Sequence, residues 1–142
     1  MSENLMLIRN LYAAFASGDV PAVLAAFAPD IVWNEAENFP YADGNPYQGP
    51  DAVLAGVFAR LGVDWDGFAV EDIELLDAGD TIVMLGRYRA THNGTRQAMN
   101  PQVAHVWRVK DGKAVGFQQY VDTLAVARAT GAAWAHARET VG

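Results

Sequence analysis

Apolar residues recur every three to four positions through most of the first sixty residues, and every second position from about Val63 to Val121. A parallel βαβ sheet needs those two periods to alternate along the chain. Here helical periodicity dominates early and strand periodicity late, which predicts an α+β fold: a curled antiparallel sheet packed along one face on helices. Such a curl leaves a pocket between sheet and helices. At 142 residues the chain is expected to form one domain over residues 1–142 with a core of useful size.

Leu5, Ile8, Leu11, Tyr12 and Phe15 give residues 3–17 one apolar helical face. Gly18 suits a left-handed cap, Asp19 can cap a second helix, and Pro21 stands in its first turn. That helix is expected to stop before Pro29, and DIVWNEAE (30–37) reads as a strand. A loop rich in Pro, Gly and Asn follows, from about Glu37 to Gly49. Pro50 and Asp51 open a third helix with Val53, Leu54, Val57, Phe58 and Leu61 as its stripe. In the strand region, the slip between Val70 and Ile73 predicts a bulge. Asn93–Gly94 marks a turn, and residues 95–109 read as one long strand in which Pro101 needs an edge or a bulge. Lys110 to Lys113 is a tight hairpin, and the Ala-rich stretch 123–139 reads as a helix with Gly131 as its weak point.

Charge and cysteine content exclude several classes of function. The net charge of −7 argues against nucleic acid or an anionic membrane as partner, since both need a basic patch. The absence of cysteine excludes disulfides and thiolate metal sites. The N-terminus, MSENLMLIRN, lacks the basic start and apolar core of a signal peptide, and no run approaches membrane-spanning length. A cytoplasmic protein is expected. No Gly-rich phosphate loop, GxSxG or HExxH is present, and no His or carboxylate pair has metal-ligand spacing on a helix face. No cofactor or metal is implied.

The polar residues that interrupt the apolar faces are the candidate site. His105 lies in phase with Val103, Trp107 and Val109, so it points inward if they do. It can donate and accept, and so move a proton or polarise a carbonyl; equally it can be a core histidine bonded to a backbone carbonyl or to Tyr120. Glu35 is in phase with Trp33, and a carboxylate in an apolar, Trp-lined pocket gains the raised pKa that proton abstraction near neutrality needs. The alternative is a strand end with Glu35 and Glu37 in water. Tyr120 and Asp122 share a face of the last strand and could converge with His105 across the hairpin. Asp122 also stands where it can cap the last helix. Phe15, Trp33, Trp65, Met99 and Trp107 line an apolar cavity or form core, while Phe39, Tyr41 and Tyr47 form a lid or a packed turn. His92 and His136 are expected to be peripheral.

The segments Leu11 to Glu35, Asn45 to Val53 and Ala104 to Thr123 resemble the SnoaL-like, ketosteroid-isomerase-related branch of the NTF2-like superfamily. The resemblance implies a cone: a bent antiparallel sheet around helices with a pocket inside. It places Glu35 where the isomerases keep their carboxylate base and His105 near their protonated oxyanion-hole acid. It places Asp122 near the acid/base aspartate of SnoaL-type polyketide cyclases. The isomerases' oxyanion-hole tyrosine falls on Leu11, with Tyr12 turned roughly 100° away on the helix. Relatives of this fold are homodimers, and the outer sheet face is expected to serve that contact. The function expected is general acid/base chemistry next to a carbonyl, of isomerase or cyclase type, on a small apolar or carbonyl-bearing molecule. Glu35 or Asp122 would be the base, with His105 and Tyr120 stabilising the enolate. The alternatives are a non-catalytic ligand-binding module and, third, epoxide hydrolysis by an Asp–Arg–Asp set drawing on Arg87, Arg89 or Arg108.

Overall fold

The computed structural model describes residues 2–132 and is α+β. Helices α1 (Glu3–Ala16) and α2 (Val20–Ala25) come first. Ser2 caps α1 by accepting from Leu5 N–H, and its hydroxyl donates to Asp77 at 2.6 Å, pinning the helix start to the sheet. Strand β1 (Phe27–Asn34) and the two-residue β2 (Tyr47–Gln48) follow, with a 3₁₀ turn (Pro40–Gly44) between them. Residues 50–64 run as one helical segment of three parts: α3 (Pro50–Val53), a π-helical turn (Leu54–Phe58) and α4 (Ala59–Asp64). Strands β3 (Trp65–Ala78), β4 (Thr81–His92), β5 (Ala98–Met99), β6 (Gln102–Lys110) and β7 (Lys113–Val121) complete the sheet, and α5 (Thr123–Thr130) closes the described chain.

The sheet order is β2-β1-β7-β6-β4-β3, with β5 paired to β4. Its pairings are antiparallel except β1 with β7, which is parallel and was not expected from the period alone. The expected bulge exists: the β3–β4 register slips between Glu71 and Glu74, and Asp72 takes φ 55°. The sheet bends there so closely that a Cβ on Gly86 would lie 2.7 Å from the Glu71 carbonyl oxygen. The inner faces bury Ile82, Met84 and Tyr88 of β4, Val103, His105 and Trp107 of β6, and Phe117 and Gln119 of β7. Ile8, Leu11 and Tyr12 of α1 are the buried helix residues of the same core.

Several expected boundaries move. Strand β1 begins at Phe27 and ends at Asn34, because Pro29 stands within it where the β1–β7 register is interrupted. The long strand over 95–109 divides at Pro101, which has no N–H for a ladder, so pairing resumes at Gln102. Leu54 turns outward, at 37% exposure, because the π turn shifts the helical phase after Val53. The Ala-rich helix is described through Thr130, where Gly131 caps it at φ 85°. Its expected continuation, including His136, lies outside the described residues.

Candidate functional site

Between α1, the 50–64 helical segment and the concave sheet lies a narrow apolar cavity. Its free volume is about 50 Å³, room for a few waters. Trp33, Phe39, Trp107 and Phe117 wall its depth, and the half-buried Phe15, Phe58, Leu61, Phe68 and Val70 line it nearer the surface. Its polar wall consists of Tyr12, Glu35, Tyr88, His105 and Gln119.

Glu35 is the first residue past β1, still in phase with Trp33 and only 3% exposed. Asn45 holds it from the loop: Glu35 N–H donates to Asn45 Oδ1 at 2.9 Å, and Asn45 Nδ2 donates to Glu35 O at 2.8 Å. The carboxylate's one hydrogen-bond partner among the described side chains is Trp33, whose Nε1 donates to Oε2 at 3.3 Å. Burial pushes the carboxyl up to about 7, against partial relief from the Trp33 hydrogen bond and the Arg60 charge. Glu37, two residues on, is exposed because the strand has ended.

His105 has both ring nitrogens engaged. Nδ1 lies 2.6 Å from Tyr12 Oη, and Nε2 lies 2.6 Å from Tyr88 Oη. Trp107 Nε1 donates to Tyr12 Oη at 2.8 Å, and Gln119 Nε2 donates to Tyr88 Oη at 2.8 Å. Gln119 Oε1 accepts from Ala36 N–H at 3.0 Å, which fixes the amide's orientation and ties the chain to the residue beside Glu35. Burial pulls the imidazole down to about 3, so it is neutral at ordinary pH, and it pushes both tyrosine hydroxyls well above their usual range. His105 therefore offers no free ring N–H of its own to the cavity.

The structure brings Glu35, His105, Trp33, Trp107 and Phe15 to the cavity and removes others from it. Tyr120 is 57% exposed on the outer face, because Phe117 sets the inward phase of β7 and carries Gln119, paired with His105, inward instead. Asp122 is the N-cap of α5, its carboxylate accepting from Ala125 N–H at 3.3 Å. Tyr41 and Trp65 are buried beside a separate groove with Asp64 and His92, and Met99 lies near Arg87 and Asn100. Tyr47 stands in β2 and packs away from the cavity, its hydroxyl donating to Tyr41 O at 2.7 Å, while Phe39 lines the cavity. Arg87 donates to Asn100 O, Arg89 pairs with Glu71 at the surface, and Arg108 is exposed, so among the described residues these three assemble no Asp–Arg–Asp set.

Three polar cavity residues escaped the sequence reading as site residues. Tyr12 points inward beside Leu11, because the buried stripe of α1 is broad enough to hold both. Tyr88 and Gln119 were visible in principle. Ile82 and Met84 set the phase that carries Tyr88 inward, and Phe117 does the same for Gln119.

The comparisons agree with this architecture. An NTF2-like protein from Burkholderia thailandensis E264 is 41% identical, over 92% of this chain and 98% of its own, at a TM-score of 0.86. An NTF2-like protein of unknown function from Burkholderia pseudomallei K96243 is 33% identical, over 91% of this chain and 98% of its own, at a TM-score of 0.83. TerC, crystallised with polyporic acid, shares the fold at 24% identity over 90% of this chain and 98% of its own, with a TM-score of 0.80. No curated protein matches the chain. Residues 8–117 match the SnoaL-like domain, and with the NTF2-like architecture described above this chain belongs to the SnoaL-like family.

Proposed function

We propose that the protein performs general acid/base chemistry at a carbon next to a carbonyl, of isomerase or cyclase type, on a small uncharged molecule. Glu35 is the base, and the Tyr12–His105–Tyr88 chain faces the oxygen on which negative charge develops. The observation that carries this reading is Glu35 itself. It is a buried carboxylate with one weak protein partner, pushed up to about 7, in an apolar cavity whose other polar groups are neutral hydroxyl, imidazole and amide. A base of that strength is ionised in a useful fraction at neutral pH and still takes a proton from carbon better than an exposed glutamate does.

The test is deuterium uptake next to the carbonyl of cyclohexanone in D₂O, followed by NMR. Wild type is expected to accelerate exchange, with a rate that rises with pH and levels off above about 7. Glu35→Gln is expected to lose about a hundredfold or more. A second reading, a ligand-binding module without catalysis, draws support from the mutual satisfaction of the Tyr–His–Tyr chain. Binding without any exchange above the Glu35→Gln level would favour it.

A further inference from the structure

We propose that the hydrogen-bond chain around His105 holds one hydroxyl hydrogen with no protein acceptor, that it belongs to Tyr88, and that it is presented to a ligand's carbonyl oxygen. The hydrogens available to the chain can be counted. Trp107 Nε1 can only donate, so Tyr12 Oη receives one hydrogen from outside the Tyr–His–Tyr unit. Gln119 presents its NH₂ to Tyr88, because its carbonyl oxygen is occupied by Ala36 N–H; Tyr88 Oη receives one hydrogen likewise. Both ends of the chain thus point inward, toward the imidazole.

A neutral imidazole has one N–H and one bare nitrogen. One tyrosine donates to the bare nitrogen. The other receives the imidazole N–H, and its own hydrogen then has no acceptor among the described residues. The histidine tautomer decides which tyrosine that is. Gln119 spans from Tyr88 to the amide of Ala36, the neighbour of Glu35, so Tyr88 stands at the Glu35 end of the chain. The carboxylate's charge is felt at Tyr88, and an O–H there is favoured with its hydrogen toward that charge. The imidazole then carries its proton on Nε2 and accepts from Tyr12 at Nδ1. His105, Trp107 and Gln119 are positioning residues, and Tyr88 is the donor.

The consequence is a specificity. With Glu35 ionised, the polar wall offers one unpaired donor among the described residues, so it selects a neutral ligand with one acceptor oxygen, a ketone, enone or quinone carbonyl, over the same skeleton without the oxygen. This deepens the proposed function and rests on its placing the ligand oxygen opposite Glu35. Its test does not depend on turnover.

The full chain, with ¹⁵N-labelled histidine, is read by long-range ¹⁵N–¹H NMR for the protonation of each His105 ring nitrogen. Cyclohexanone and methylenecyclohexane are then titrated against the wild type, Glu35→Gln and Tyr88→Phe. The expected results, at pH 8 where Glu35 is ionised, are an Nε2–H tautomer and about a fivefold preference for the ketone in the wild type, lost in Tyr88→Phe. An Nδ1–H tautomer, an imidazolium, or a wild type without ketone preference overturns the proposal. The tautomer is read on the unmodified protein, so the test stands even where Tyr88→Phe folds poorly. Loss of exchange in Glu35→Gln with cyclohexanone still bound separates the base from the donor. Failure of exchange in the wild type with that preference present counts against the base alone.

Discussion

Glu35 is a residue whose proposed role and whose effect on folding pull in opposite directions. Its carboxyl binds a proton more tightly in the folded state, at about 7, than at its ordinary value of 4.5. Below pH 4.5 both states hold the proton and the burial of Glu35 carries no charge cost. Between 4.5 and 7 the unfolded chain releases its proton first, so stability falls as pH rises. Above 7 the loss is complete, on the order of 3 kcal/mol. Glu35→Gln is therefore expected to leave urea stability unchanged at pH 4 and raise it by that order at pH 8, while abolishing exchange activity. Equal stability at both pH values would mean that the carboxylate is solvated. His105 behaves in the contrary sense: its depressed pKa, about 3 against an ordinary 6.5, makes stability fall as pH drops below 6.5. The Glu35→Gln difference cancels that contribution and isolates the carboxylate. Two further residues separate architecture from chemistry. Asp122→Ala removes the α5 cap and is expected to cost about 1 kcal/mol in a urea melt. Tyr120→Ser, on the outer face, is expected to leave cyclohexanone exchange at the wild-type rate.

Phase within elements decided how much of this could be read from the sequence. The change from helical to strand period yielded the fold class, and the Val70–Ile73 slip yielded the bulge, because both are local patterns. Glu35 and His105 were legible for the same reason: each stands two residues from a tryptophan on a strand. Tyr120 went wrong because the face of β7 was assigned from its polar residues, whereas burial of Phe117 sets it. The parallel β1–β7 pairing was beyond any local pattern, since it joins residues more than eighty apart. The π turn at Leu54–Phe58 is a second non-local feature, and Gly56 explains what it accommodates. A Cβ there would lie 2.0 Å from Tyr47 Cε1, so the Tyr47 ring lies directly on the turn. Gly56→Ala is expected to destabilise the fold by about 1–3 kcal/mol or more, measured by thermal melting. Pairing it with Tyr47→Leu should recover part of that loss, because the two substitutions share one contact. Full additivity would show that the ring does not set the need for glycine.

At the scale of the whole molecule, charge and cavity select the same kind of ligand. The chain carries seventeen acidic residues against ten Lys and Arg, and among the described residues no Lys or Arg lines the cavity. Arg60, whose charge reaches Glu35, is held at the surface by Asp43 at 2.7 Å and lies over the Tyr41 ring at 4.3 Å. A carboxylate ligand would lose its hydration in an apolar space, find no cation, and face Glu35. Cyclohexanecarboxylate is therefore expected to bind at least tenfold more weakly than cyclohexanone, a difference of about 1.4 kcal/mol or more. The gap should widen as pH rises through 7 and Glu35 ionises. Surface charge adds a screened contribution, so raising salt from about 0.05 to 0.5 M should narrow the gap only in part. The part that survives belongs to desolvation and to Glu35, and it should shrink in Glu35→Gln at pH 8 much more than at pH 6, where the ligand is ionised and Glu35 is mostly protonated. A gap that closed entirely with salt would assign the selection to the net charge of −7 and relieve the cavity of any role in it.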